Sequence, residues 1–85
     1  MVRAVRVKAM NNYLLFIKFD NGEERIYNCF PLLKEPLFNK LHNKDFFNTV
    51  HIDEMGVVCW DSATDIDPYD LYEQSERIND FCFTA

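Results

Sequence analysis

Asn21-Gly22 lies between two runs rich in apolar residues, and no other dipeptide in the chain restricts the fold as much. Both residues accept the positive φ of a type I′ turn, so Tyr13 to Asp20 and Glu23 to Cys29 are expected to pair as antiparallel strands. Two registers are compatible with this. A two-residue loop sets Ile17 opposite Ile26, Phe16 opposite Tyr27 and Lys18 opposite Arg25. A three-residue loop over Asp20-Asn21-Gly22 sets Phe16 opposite Ile26 and Lys18 opposite Glu24. Cross-strand pairs contribute only ~0.2–1 kcal/mol each, so pairing does not choose between them.

Upstream, Val5, Val7 and Ala9 alternate with Arg6 and Lys8, the period of two of a half-buried strand. Asn11-Asn12 supplies the turn into the second strand. That strand is apolar on both faces, with Tyr13, Leu15, Ile17 and Phe19 on one and Leu14 and Phe16 on the other. Such a strand is central in its sheet or covered on both sides.

Pro31 ends the third strand and opens a helical turn, which Pro36 stops by keeping Glu35 out of the α region. A second short helix is expected from Leu37 to His42. Thr49 to Asp53 and Val57 to Trp60 then form another hairpin, with Gly56 at the left-handed position after a type I turn. Asp61 to Thr64 reads as loop. Asp67-Pro68 starts a helix, with Asp67 as cap and Pro68 in the first turn. Leu71, Ser75 and Ile78 extend it toward Asp80. The fold class is α+β, an antiparallel sheet from two hairpin units (three strands, then two) with short helices between them and a C-terminal helix. Residues 1–85 are expected to form one domain, because half this length would not bury a core.

Hydrophobic residues make up 48% of the chain, including eight Phe, four Tyr and one Trp, which excludes disorder over most of it. No apolar run approaches the ~18 residues that cross a bilayer, and the first residues do not form a secretory signal. A cytoplasmic location is expected. Cys29, Cys59 and Cys82 are odd in number and far apart, which fits packed, reduced thiols better than disulfides. The formal net charge of −5 disfavours direct binding to nucleic acid. It suits a basic protein partner.

Chemistry-bearing patterns are few. The Asp61–Asp70 stretch collects carboxylates suited to a divalent cation, but it lacks the alternation and glycine of a calcium loop. Helix capping is the simpler use of Asp67 and Asp70. His42 and His51 are not in a metal-ligand spacing, and neither forms a local catalytic signature with a cysteine. Gly22 and Gly56 both belong to hairpins, so no glycine-rich phosphate cradle exists. No catalytic residue, metal ligand or cofactor is therefore assigned, and the chain is not expected to be an enzyme. Phe46-Phe47 is the remaining feature. Two adjacent rings point in different directions, so the core is expected to take Phe46 and leave Phe47 on an apolar patch for a second copy or another partner.

Taken in order, Tyr13-x-Leu15-x-Ile17-x-Phe19-x-Asn21-Gly22-Glu23, Pro31-Leu32-Leu33, Phe38-x-x-Leu41, Phe46-Phe47-x-x-Val50, Asp53-x-x-Gly56-x-Val58-x-Trp60 and Asp65-Ile66-Asp67-Pro68-x-x-Leu71-Tyr72-Glu73 form a pattern. It resembles the domain-of-unknown-function family 2442, a group of small bacterial proteins. The resemblance runs from about residue 5 to 73, leaving a C-terminal extension from about 76 to 85. Pro36, in place of a small residue, and Asp61-Ser62-Ala63, in place of a Pro-containing turn, depart from the usual pattern. The resemblance implies an α+β fold with Asp65-Ile66-Asp67-Pro68 leading into the last helix, and no established activity. Its members are often encoded in arrangements similar to toxin–antitoxin pairs, which implies an acidic, antitoxin-like interaction module. A small-ligand or divalent-metal domain using Asp61–Asp70 is the alternative.

Overall fold

The computed structural model describes residues 2–78. Strands β1 (Ala4–Ala9), β2 (Leu14–Phe19) and β3 (Glu24–Asn28) form an antiparallel meander, joined on its far edge by β7 (Glu76–Arg77) in the order β1-β2-β3-β7. A second sheet holds β4 (His51–Ile52), β5 (Val58–Asp61) and β6 (Thr64–Asp65) in the order β4-β5-β6. Between the sheets in sequence come 3₁₀ segments at Phe30–Lys34 and Pro36–His42 and a one-turn helix α1 (Lys44–Phe47). Helix α2 spans Pro68–Gln74.

The β2–β3 register is resolved in favour of the three-residue loop: Lys18 opposes Glu24, Ile17 opposes Arg25 and Phe16 opposes Ile26. Only Gly22 takes a positive φ in this loop, at 88°, so the turn is not type I′. The Phe19 amide donates to the Glu23 carbonyl and the Gly22 amide to the Phe19 carbonyl. Asp53 to Val57 repeats this arrangement, with Asp53 N–H to Val57 O, Gly56 N–H to Asp53 O, and Gly56 at φ 81°. Both hairpins therefore use a left-handed glycine after the turn.

Alternation in β1 is broken by a bulge between Ala4 and Arg6. The extra residue rotates the strand, so Ala4 occupies the inner position beside Phe19 and Val5 is 56% exposed. Past the bulge, Val7 and Ala9 pack on the core and Arg6 and Lys8 face solvent. The core gathers Leu15, Ile17, Phe19 and Tyr27 from the first sheet with Cys29, Leu41, Phe47, Val58, Trp60, Ile66 and Leu71 from the rest of the chain. β4 lies against β1, which brings the two sheets together.

Two further expectations are corrected. Thr64, read as loop, and Asp65 after it form β6; Cys59 pairs with Asp65 and Asp61 with Thr64. Helix α2 stops at Gln74 and does not reach Asp80. Ser75 is extended (ψ 154°), and Glu76–Arg77 pairs with Arg25 and Ile26 instead. Arg25 Nη1 donates to the carbonyls of Tyr72 and Ser75 at 3.0 and 3.2 Å, so a cation on β3 closes the helix end from outside. Cys82 and the rest of the C-terminal extension from residue 79 lie outside the described residues.

Candidate functional site

The Phe46-Phe47 pair is arranged opposite to the sequence expectation. Asn43 caps α1, its Oδ1 accepting the amides of Asp45 and Phe46 at 2.9 and 3.3 Å. The turn directs Phe47 inward, where it is 2% exposed between Tyr13 and Trp60, with ring centroids at 5.2 and 6.0 Å. Its carbonyl accepts the Trp60 indole N–H at 2.8 Å. Phe46 is half-buried, with Lys40 Nζ 5.9 Å from its ring centre. The sequence pattern did not carry this choice, because α1 is too short to show a periodicity.

Within the Asp61–Asp70 stretch the carboxylates of Asp61 and Asp67 are directed at local structure. Asp61 pairs with Lys40 at 3.1 Å and accepts the Ala63 amide at 3.0 Å. Hydrogen bonds from Thr64 first and Lys40 second hold its carboxyl below the ordinary carboxylate range. Asp67 accepts the amides of Tyr69 and Asp70 at 2.8 and 3.4 Å at the start of α2, ahead of Pro68. Asp65 is exposed on β6. Among the described residues no three metal-ligating side chains converge. Replacing Asp67 by Ala should cost ~0.5–2 kcal/mol in urea unfolding, because two helix-start amides lose their acceptor. The loss should be the same with and without added calcium; a loss seen only with the cation would assign Asp67 to a metal site.

The cross-strand neighbours His51 and Cys59 bring Nε2 to within 3.5 Å of Sγ. Burial, and then the carboxylates of Asp53, Asp65 and Asp61, raise the Cys59 thiol pKa. This favours the protonated thiol over a nucleophilic thiolate. Cys29 is fully buried and its thiol is pushed up to about 12 by burial. His42 is held by local structure: its carbonyl accepts the Tyr13 hydroxyl at 3.0 Å, and its Nε2 lies 3.1 Å from the Leu33 carbonyl.

A polar cluster that the sequence did not announce joins the first hairpin to α2 and β7. Glu23 meets Arg25 and Arg77, each at 3.1 Å, and Asn21 Nδ2 at 2.6 Å, and accepts the Tyr72 hydroxyl. The Arg25 guanidinium lies 3.9 Å from the Tyr72 ring centre, and its Nε is buried without a partner among the described residues. The Tyr72 hydrogen bond is the largest cause, and that of Asn21 the next, holding Glu23 at about 2 against an ordinary 4.5. A depressed carboxylate pKa stabilises the fold above the unfolded value and loses that contribution as pH falls through the folded one. The stability gap between the native chain and Tyr72→Phe should therefore be widest above pH 4.5 and narrow toward about pH 2. A gap independent of pH would reject the assignment.

A second apolar surface lies on the side of the first sheet away from the core. Leu14 and Phe16 of β2 and Ile26 of β3 point there, and none of them belongs to the core cluster. Lys8, Met10, Phe16, Ile26 and Ile78 line a groove of about 340 Å³. Ile26 is buried at its floor, while Phe16, Met10 and Ile78 around it are partly exposed.

These features define a small α+β protein of two antiparallel sheets whose most distinctive surface is one face of the larger sheet. The chain belongs to the family described as protein of unknown function (DUF2442), whose profile matches residues 4–77. No curated protein and no solved structure matches the chain. Among the described residues no helix is long and apolar enough to cross a membrane.

Proposed function

We propose that this is a small bacterial, cytoplasmic protein-interaction module, antitoxin-like in kind, whose contact surface is the outer face of the four-stranded sheet. One observation carries the reading: the β2–β3 register places Phe16 beside Ile26 on the face away from the core cluster, with the Phe16 ring partly open to solvent. An aromatic ring left outside the core of so small a chain, in an apolar groove, is favoured where something else covers it. The net charge of −5 suits a basic protein partner, while the strands of this face carry both signs, which suits a second copy. Phe47 takes no part, being a core residue, and Phe46 keeps one side accessible.

Phe16→Glu tests this. At a concentration low enough to keep the chain monomeric it should leave the melting temperature nearly unchanged, and at high concentration it should abolish association, measured by thermal unfolding and by chemical cross-linking of the purified chain. A fall of many degrees in the melting temperature of the dilute, monomeric chain would show that the ring is covered within the chain, and the reading would fail.

A further inference from the structure

The outer face carries charge as well as apolar side chains, and the charge is divided by strand. Its basic residues are Arg6 and Lys8 on β1 and Lys18 on β2; its acidic residues are Glu24 on β3 and Glu76 on β7. All five are exposed. None takes part in an ion pair among the described residues. One row crosses all four strands in register: Lys8 opposite Phe16, Phe16 opposite Ile26, Ile26 opposite Glu76. The next row places Arg6 opposite Lys18 and Lys18 opposite Glu24.

We propose that the occupant of this face is a second copy of the same chain, stacked sheet on sheet about a two-fold axis parallel to the strands and passing between β2 and β3. The inference rests on the reading of this face as a contact surface. Such an axis exchanges β1 with β7 and β2 with β3 while keeping each row in place. Lys8 then faces Glu76 of the other copy, Phe16 lies over the groove floored by Ile26, and Lys18 faces Glu24. Each contact occurs twice, as an isologous interface requires. Stacked sheets pack ~10 Å apart, a gap that the inner apolar side chains fill and that Lys and Glu span at the margins.

A two-fold axis across the strands would instead set β1 on β1, Lys8 against Lys8, with like charges opposed. A general basic partner would pair with Glu24 and Glu76 but leave Lys8 and Lys18 facing positive charge. A second copy uses both signs.

Sedimentation equilibrium of the full chain and of Lys8→Glu, Glu76→Lys and the double variant K8E/E76K tests the arrangement. The native chain should dimerise, each single reversal should weaken the dimer about tenfold or more, and the double variant should restore it. Added salt should weaken the native dimer. A dimer indifferent to the single reversals, or a double variant no stronger than the singles, would overturn this packing. A native chain that stays monomeric at ~1 mM would overturn self-association altogether. In that event Phe16→Glu separates the two claims: an unchanged melting temperature leaves the face as a contact surface for another protein. A lowered one removes that reading too.

Discussion

Phe47→Ala is expected to destabilise the chain by about 3–5 kcal/mol, the largest effect of any single truncation proposed for it. The ring fills the space between Tyr13 and Trp60 and is 2% exposed. Its loss leaves a cavity bordered by aromatic rings, which are too stiff to collapse into it. The hydrogen bond from the Trp60 indole to the Phe47 carbonyl holds the same place, so cavity and polar contact are disturbed together. A domain of this size has only about 5–10 kcal/mol in total, and the variant should be largely unfolded on modest warming. Phe46→Ala is the control. Its half-buried ring should cost less than half as much in urea unfolding. Equal losses at the two positions would contradict the inward direction of Phe47.

Arg25→Ala should have the second-largest effect, on the order of 3 kcal/mol. The guanidinium joins the hairpin to the end of α2: it pairs with Glu23 in its own hairpin, stacks on the Tyr72 ring, and donates to the Tyr72 and Ser75 carbonyls. Its removal leaves the Ser75 carbonyl without this donor and the Tyr72 carbonyl with the Ser75 hydroxyl alone, at the place where α2 turns into β7. Lys should rescue poorly, because an ammonium cannot stack on the ring and fork to two carbonyls at once. Hydrogen exchange should show the change most strongly in α2 and β7. Uniform loss of protection across both sheets would argue against a local lock.

The hairpins were legible because their determinants are local. A glycine at a left-handed position, flanked by strand formers, specifies a turn whatever surrounds it, and Gly22 and Gly56 are used in that way. Asp67-Pro68 is equally local, since a capping carboxylate acts on amides two and three residues away. The apolar residues on both faces of β2 were compatible with its central place, which the order β1-β2-β3-β7 gives it.

The register at Asn21-Gly22 was not decided locally. Both loops satisfy the same dipeptide, and the cross-strand pairs differ by less than the tertiary contacts that each register allows. The three-residue loop puts Arg25 on the inner face beside Ile17, where Tyr72 and the end of α2 receive it. The end of α2 was hidden for the same reason. Leu71, Ser75 and Ile78 have helical spacing, yet the carbonyls at that end bond to Arg25, far earlier in the chain, and tertiary contact overrides the local preference. Val5 left the core through a bulge that alternation does not encode.

The candidate surface divides along the same line. Phe16 on the second face of β2 was readable from a period of two. That Phe16 stands in one row with Lys8, Ile26 and Glu76 required the register and the return of β7 to the sheet edge. Turn chemistry and capping act within a few residues, so the sequence by itself determined where the chain folds back and where its last helix begins. Which ring of Phe46-Phe47 enters the core, where that helix stops and which charges share a face depend on residues far apart in the chain, and only tertiary packing brings those together.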